Sequence, residues 1–171
     1  MIEEYQVYFD RYNDLKEDKS FYQRLKKLPK GVLQSAFENA HEEIFEEIDC
    51  LKCGACCKTI SPVFTQKDVA RLAKSFKQNP GQFVEDHLKL DEDEDLVLKS
   101  SPCTFLGADN RCSVYDNLPK ACEEYPHTNS RKMHAVMELT KENVKYCPAV
   151  AGIMTKMREL VVKPPLDSPG Y

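Results

Sequence analysis

The stretch Cys50-Leu51-Lys52-Cys53-Gly54-Ala55-Cys56-Cys57 decides how this chain is read, because four cysteines fall within eight residues. Two cysteines separated by two residues can reach one metal, since the intervening pair turns the backbone back on itself. Gly54 permits positive φ directly after Cys53 and frees the local N–H groups to point at sulfur. Cys57 complicates the pattern. Adjacent residues of extended backbone point to opposite sides, so Cys56 and Cys57 are expected to serve two metals, or one of them to bridge, rather than share one tetrahedral ion.

Working outward, Cys50-x2-Cys53-x2-Cys56 has the three-ligand spacing of a ferredoxin-type iron–sulfur loop, and Cys147-Pro148 matches the remote fourth ligand that precedes proline there. Cys103, Cys112 and Cys122 complete a set of eight in 171 residues. Eight thiolates suffice for two four-sulfur sites. Spacing alone does not separate zinc from iron–sulfur, since both accept four thiolates in a tetrahedron.

The rest of the chain says what the cysteines are not for. It opens Met1-Ile2-Glu3-Glu4, acidic where a signal peptide would be basic and then apolar. No apolar run approaches the ~20 residues that span a bilayer. The expectation is a soluble cytoplasmic protein, and a reducing compartment gives little use for disulfides. A vicinal Cys56–Cys57 bridge would also be strained. Metal is the remaining account of the cluster. The formal net charge of −4 disfavours nucleic-acid binding, which needs a basic field, and hydrophobic residues at 42% suffice for a core.

The predicted fold class is mostly α with a small β-hairpin (α+β), with helices packed around a cysteine-rich metal-binding core. Leu33, Phe37, Ala40, Ile44 and Ile48 recur at helical steps, opposite Glu38, Glu42, Glu43, Glu46 and Glu47. Pro29-Lys30-Gly31 separates this helix from an earlier one over roughly 3–27, so 1–49 is read as an N-terminal helical pair. Residues 50–163 form the cysteine-cluster domain and 164–171 a flexible tail. Thr65 with Asp68 three residues on predicts a helix start, Asn79-Pro80-Gly81 its end, and a short helix through Phe83 and Leu88 follows. Asp91–Asp95 is read as a solvated turn before the strand Leu96–Leu98. It lacks the Gly and Glu of a calcium loop. Residues 103–106 and 111–115 are expected to pair as the hairpin, bringing Cys103 and Cys112 across from each other. Residues 133–139 fit strand or helix, and Ala149–Val162 reads as a final helix. His127 is the best histidine candidate for an added ligand, although a turn residue is the plainer reading.

Taken in order, Cys50-x2-Cys53-Gly54-Ala55-Cys56-Cys57, Pro102-Cys103-x-Phe105-Leu106, Cys112-Ser113-Val114-Tyr115, Pro119-x2-Cys122-x2-Tyr125-Pro126 and Cys147-Pro148 resemble the CxxCxxCC cysteine-cluster family. That family is also called the YkgJ-like or zinc- or iron-chelating domain family. The resemblance covers residues 50 to about 152 and gives each cysteine a place. It implies a small bacterial metal-binding protein. A flagellin lysine methylase carries a similar cluster, which implies iron–sulfur chemistry with S-adenosylmethionine. Family members tend to carry Arg where this chain has Leu118 and Glu123; Lys58, Arg111 and Lys120 are the cations at hand to replace that charge.

The resulting expectation is a metal-binding protein that holds iron–sulfur, or else zinc, on Cys50, Cys53, Cys56, Cys57, Cys103, Cys112, Cys122 and Cys147, as a redox or metal-handling module. Its partner is a metal ion or cluster, with no nucleic acid and no membrane. Two alternatives stand beside it, a methyltransferase-like enzyme and an interaction protein stapled by structural zinc. No glycine-rich cofactor loop and no nucleophile–base pair supports the enzyme, and no catalytic residue is assigned.

Overall fold

The structure is a computed structural model and describes residues 3–13 and 19–162; the expected tail 164–171 lies outside the described residues. In chain order the helices are α1 (Gln6–Asn13), α2 (Lys19–Lys27), α3 (Lys30–Glu47), α4 (Cys50–Cys53), α5 (Ala55–Thr59), α6 (Gln66–Ser75) and α7 (Pro80–His87). Strands β1 (Leu88–Leu90) and β2 (Leu96–Leu98) come next, then α8 (Lys120–Glu124), α9 (Met133–Asn143) and α10 (Pro148–Val162). The protein is mostly α with one small β-hairpin. Its described residues divide into two compact units, 3–49 with 126–162 and, separately, 50–125.

In the first unit the helical stripe is buried as its periodicity requires, with Leu33 and Phe37 fully inside. The partner of that stripe is α10, which packs against α1, α2 and α3. Small residues permit the approach. A Cβ built on Gly152 would come within 2.8 Å of Tyr8 Cδ1 and 2.9 Å of Ile44 Cδ1. Of the helix expected over roughly 3–27, the described residues form a short 3-10 turn at Glu3–Tyr5, then α1 and α2. The 133–139 segment resolves as helix, because Met133, Met137 and Thr140 are buried at helical steps of four and three. No described helix is long and apolar enough to cross a membrane.

In the second unit Thr65 and Asp68 form the expected capping box of α6. Asn79 caps α7, with Pro80 in its first turn. The strands pair antiparallel in the register Leu88↔Leu98 and Leu90↔Leu96. The Asp91–Asp95 turn joins them, and Asp91 Oδ1 accepts the N–H groups of Asp93 and Asp95. Phe64, Val69, Leu72, Ala73, Phe83, Leu88, Leu98, Phe105 and Val114 make the apolar cluster, with Cys103 and Cys112 packed on it.

The hairpin therefore lies at 88–98, not at 103–115. Between Cys103 and Tyr115 the pairing is reduced to a single bridge, Leu106↔Cys112. The turn itself forms, with Gly107 N–H donating to Arg111 O at 2.8 Å. Each arm, however, closes its own tight turn: Leu106 N–H bonds Cys103 O and Tyr115 N–H bonds Cys112 O. Ser113 N–H still reaches Phe105 O at 2.8 Å, but Tyr115 N–H is spent on its own turn and Cys103 N–H on Cys57 O, so the ladder goes no further.

Candidate metal centre

The 50–57 stretch is not an open loop but two single-turn helices, α4 and α5, hinged at Gly54. Gly54 adopts φ +57, the left-handed conformation that its lack of a Cβ permits. Asn110 secures the hinge from the 107–111 turn, its Nδ2 donating to Lys52 O at 2.8 Å. A backbone bond from Cys103 N–H to Cys57 O, 2.8 Å long, joins the first cysteine motif to the second.

Because α5 is helical, Cys56 and Cys57 do not point to opposite sides as an extended chain would force. Their sulfurs stand 3.9 Å apart. In a tetrahedron of ~2.3 Å zinc–sulfur bonds the sulfur–sulfur edge is about 3.8 Å, so this adjacent pair is spaced as two ligands of one ion.

Four cysteines of this unit, Cys57, Cys103, Cys112 and Cys122, are mutually within electrostatic reach. Burial pushes the Cys122 thiol up to about 12, and the charges of Cys57, Cys103 and Cys112 push the same way. Cys103 is raised by burial and then by Cys57 and Cys112, and Cys112 by burial and then by Cys57. Cys57 is raised furthest, first by its hydrogen bond with Cys56 and then by burial. Thiolates gathered this closely repel one another, and a bound cation is the group that reverses the balance, deprotonating a coordinating thiol outright.

Backbone donors aim at several of these sulfurs. The Ala55 N–H lowers the Cys53 thiol against the effect of burial, as the Phe105 and Leu106 N–H groups do for Cys103 and the Val114 N–H for Cys112. In each case the residue two positions on supplies a donor. Hydrogen bonds to the charged form favour it. Lys58 adds a positive charge that lowers both Cys53 and Cys57. Of the three cations expected to compensate for Leu118 and Glu123, Lys58 acts on Cys53 and Cys57; Arg111 pairs with Asp109 and Lys120 with Glu124.

As placed, no group of three or more His, Cys, Asp or Glu side chains among the described residues already stands in metal-holding geometry. The donor set fits in its chemistry, with soft sulfurs, favouring N–H groups and mutual proximity. Cys50 is exposed and Cys147 buried. Cys147 belongs to the other unit, where it precedes α10 and its carbonyl accepts the Ala151 N–H. His127 sits at φ +68 and opens a turn closed by Ser130 N–H, as a turn residue would.

Sequence reasoning read Asp68 only as a helix cap. It is 1% exposed, and besides its own cap it accepts the Lys120 N–H at 3.1 Å, two residues before Cys122. Arg71 donates to Asp68 Oδ1 at 2.8 Å and also to Leu118 O. The Thr65-x-x-Asp68 pattern signals the cap; no pattern in the sequence signals a contact 52 residues away.

The sequence model of one family, CxxCxxCC, described as "Putative zinc- or iron-chelating domain", matches residues 49–148, more than half of the chain. No curated protein and no solved structure matches the chain.

Proposed function

We propose that this chain, which belongs to the CxxCxxCC family, holds an iron–sulfur cluster or zinc on its cysteines and acts as a redox or metal-handling module. Metal binding is the property that the family carries. Cys57, Cys103, Cys112 and Cys122 are assigned to one four-sulfur set. Cys50, Cys53 and Cys56 are the remaining candidate ligands of the 50–125 unit, and Cys147 is a candidate ligand in the other.

The observation that carries this reading is the gathering of Cys57, Cys103, Cys112 and Cys122 in one unit, tied by the Cys103 N–H to Cys57 O bond, with backbone N–H groups that favour the thiolate form at Cys53, Cys103 and Cys112. A buried neutral thiol gains little from such donors, whereas a thiolate bound to a cation is stabilised by them. A bound iron–sulfur cluster would supply one-electron chemistry. What the chain's own residues do is present sulfur, direct backbone N–H groups at it and set Lys58 beside Cys53 and Cys57.

Iron–sulfur is favoured by the Cys50-x2-Cys53-x2-Cys56 run with Cys147-Pro148. The 3.9 Å spacing of Cys56 and Cys57 favours a second reading, in which these two sulfurs share one four-coordinate ion such as zinc and Cys56 takes a place in the Cys57 set. Anaerobic purification followed by metal and acid-labile sulfide analysis, with a visible spectrum of the same sample, decides between them. Brown protein with iron and sulfide is the expected result. Colourless protein with stoichiometric zinc would make the cysteines a scaffold, and metal-free protein that takes up neither would end the proposal.

A further inference from the structure

We infer that Asp68 is a positioning residue for Cys122, holding the turn that presents this sulfur through hydrogen bonds to the start of α8. The inference rests on the metal-binding reading above and assigns one residue outside the cysteine motifs to the same site.

The two oxygens of Asp68 have divided tasks. Oδ2 accepts Thr65 N–H at 2.9 Å and Thr65 Oγ1–H at 2.6 Å, which completes the local capping box. Oδ1 takes no part in that cap. It accepts Arg71 Nη2 at 2.8 Å and the Lys120 N–H at 3.1 Å. Four donors saturate the lone pairs of a carboxylate. A capping box alone needs only Oδ2 and is ordinarily solvated. Burying the charge to 1% exposure is tolerable only because the second oxygen is also fully used.

Oδ1 meets a specific shortage. Pro119 precedes α8 and lacks an N–H, and Lys120 provides the first free donor of that single turn. Cys122 N–H and Glu123 N–H both bond Pro119 O, at 2.9 and 3.0 Å. Arg71 also donates to Leu118 O, one residue before the proline. Asp68 and Arg71 thus clamp both sides of Pro119, and the Cys122 sulfur follows from that turn. Such outer partners orient a ligand, and losing one typically weakens metal binding about 10–100-fold.

An asparagine keeps the size of Asp68 but offers one acceptor oxygen and a donor amide to four donors. The test is Co(II) titration of the full chain, read by thiolate charge-transfer absorbance and by chelator competition, in wild type, Asp68→Asn, Thr65→Ala and Cys122→Ser. Asp68→Asn is expected to bind about 10–100-fold more weakly and with less thiolate absorbance. Thr65→Ala, which removes the two Oγ1 bonds of the cap and leaves both Oδ1 bonds in place, should stay close to wild type. In a Cys122→Ser background, Asp68→Asn should have little further effect, because the two act through one sulfur.

Equal weakening in both backgrounds would make Asp68 a general stabiliser and overturn the assignment. Tighter binding would also overturn it, since the negative charge beside Cys122 by itself opposes a thiolate there. If Asp68→Asn does not fold, Arg71→Met carries the same comparison, with a smaller loss that must again vanish in the Cys122→Ser background. A wild-type chain that takes up no Co(II) would defeat the metal-binding reading and this one with it, whereas a wild type that binds beside an unaffected Asp68→Asn defeats this one alone.

Discussion

Helix α10 buries Ala149, Val150, Ala151, Ile153, Met154 and Met157 and serves as a spine for three other helices of its unit. The 50–125 unit has no such spine. Its nine-residue apolar cluster is gathered from α6, α7, two three-residue strands and loops, and its cysteine-bearing helices α4, α5 and α8 are one turn each. Single turns are unstable alone, because nucleation is costly and too few residues follow to repay it. One unit thus draws its order from continuous apolar packing. The other leaves its shortest elements to be fixed by side-chain bonds and, on the reading proposed here, by metal.

Removing the metal should break this contrast most severely. Metal binding to a thiolate site is folding free energy, about 10–16 kcal/mol for zinc-finger peptides near neutral pH. Treating the loaded full chain with a strong chelator should therefore expose amides of 50–59 and 103–124 to rapid hydrogen exchange. Amides of α3, α9 and α10 should stay protected. Uniform loss of protection across both sets would show that the apolar unit also depends on the metal.

Within the loaded protein, apolar deletion should matter in the second unit as well, though less. Leu72 lies fully buried in the small cluster, and Leu72→Ala should cost about 2–5 kcal/mol. The same substitution in stripped protein should cost less, since Phe105 and Val114 of that cluster lie in the 103–124 stretch that is then already loosened. Urea unfolding of both forms, followed by a probe in 50–125, makes the comparison.

The first unit is sensitive to added volume instead. At Gly152 a Cβ would stand 2.8 Å from Tyr8 and 2.9 Å from Ile44, closer than van der Waals contact. Gly152→Ala gains helix propensity of ~1 kcal/mol, yet overpacking typically costs about 1–3 kcal/mol. The net should be a lower unfolding midpoint with unchanged metal content. An unchanged or raised midpoint would mean that α1 and α10 can separate slightly without loss.

The contrast also explains what the sequence made legible. Regular elements with a clear period were read directly: the Leu33–Ile48 stripe, the Thr65–Asp68 cap and strand Leu96–Leu98 all stand where periodicity and capping rules put them. Cysteine spacing led to the right family, and Gly54 adopts the left-handed backbone expected of it. Misreadings cluster where local bonds compete with longer-range ones. The 103–115 arms alternate like strands, but their N–H groups are drawn into tight turns and onto sulfur. An extended backbone would make Cys56 and Cys57 diverge, whereas a single helical turn brings their sulfurs to 3.9 Å. The reach of Asp68 to Lys120 depends on tertiary placement, which no local pattern encodes.

The smallest expected effect separates the units by pH. Tyr8 donates its hydroxyl to Glu47. Burial first, then that bond and the Glu47 charge, push the phenol up to about 12 from its ordinary 10.0, with Arg11 opposing. Burial raises Tyr12 and Tyr22 too. Because the folded state favours the protonated phenol, this stabilisation is fully present below pH 10 and is lost as pH rises towards 12. In metal-loaded protein the helices of the first unit should weaken over that window. Tyr8→Phe keeps the ring and removes the titrating group, so its stability should differ from wild type by about 1 kcal/mol at pH 9 and fall less steeply above pH 10. Denaturant midpoints of helical circular dichroism at intervals between those values measure the slope. Identical slopes would place the alkaline weakness in the Tyr12–Tyr22 pair, where the neighbouring Tyr12→Phe variant would then flatten it.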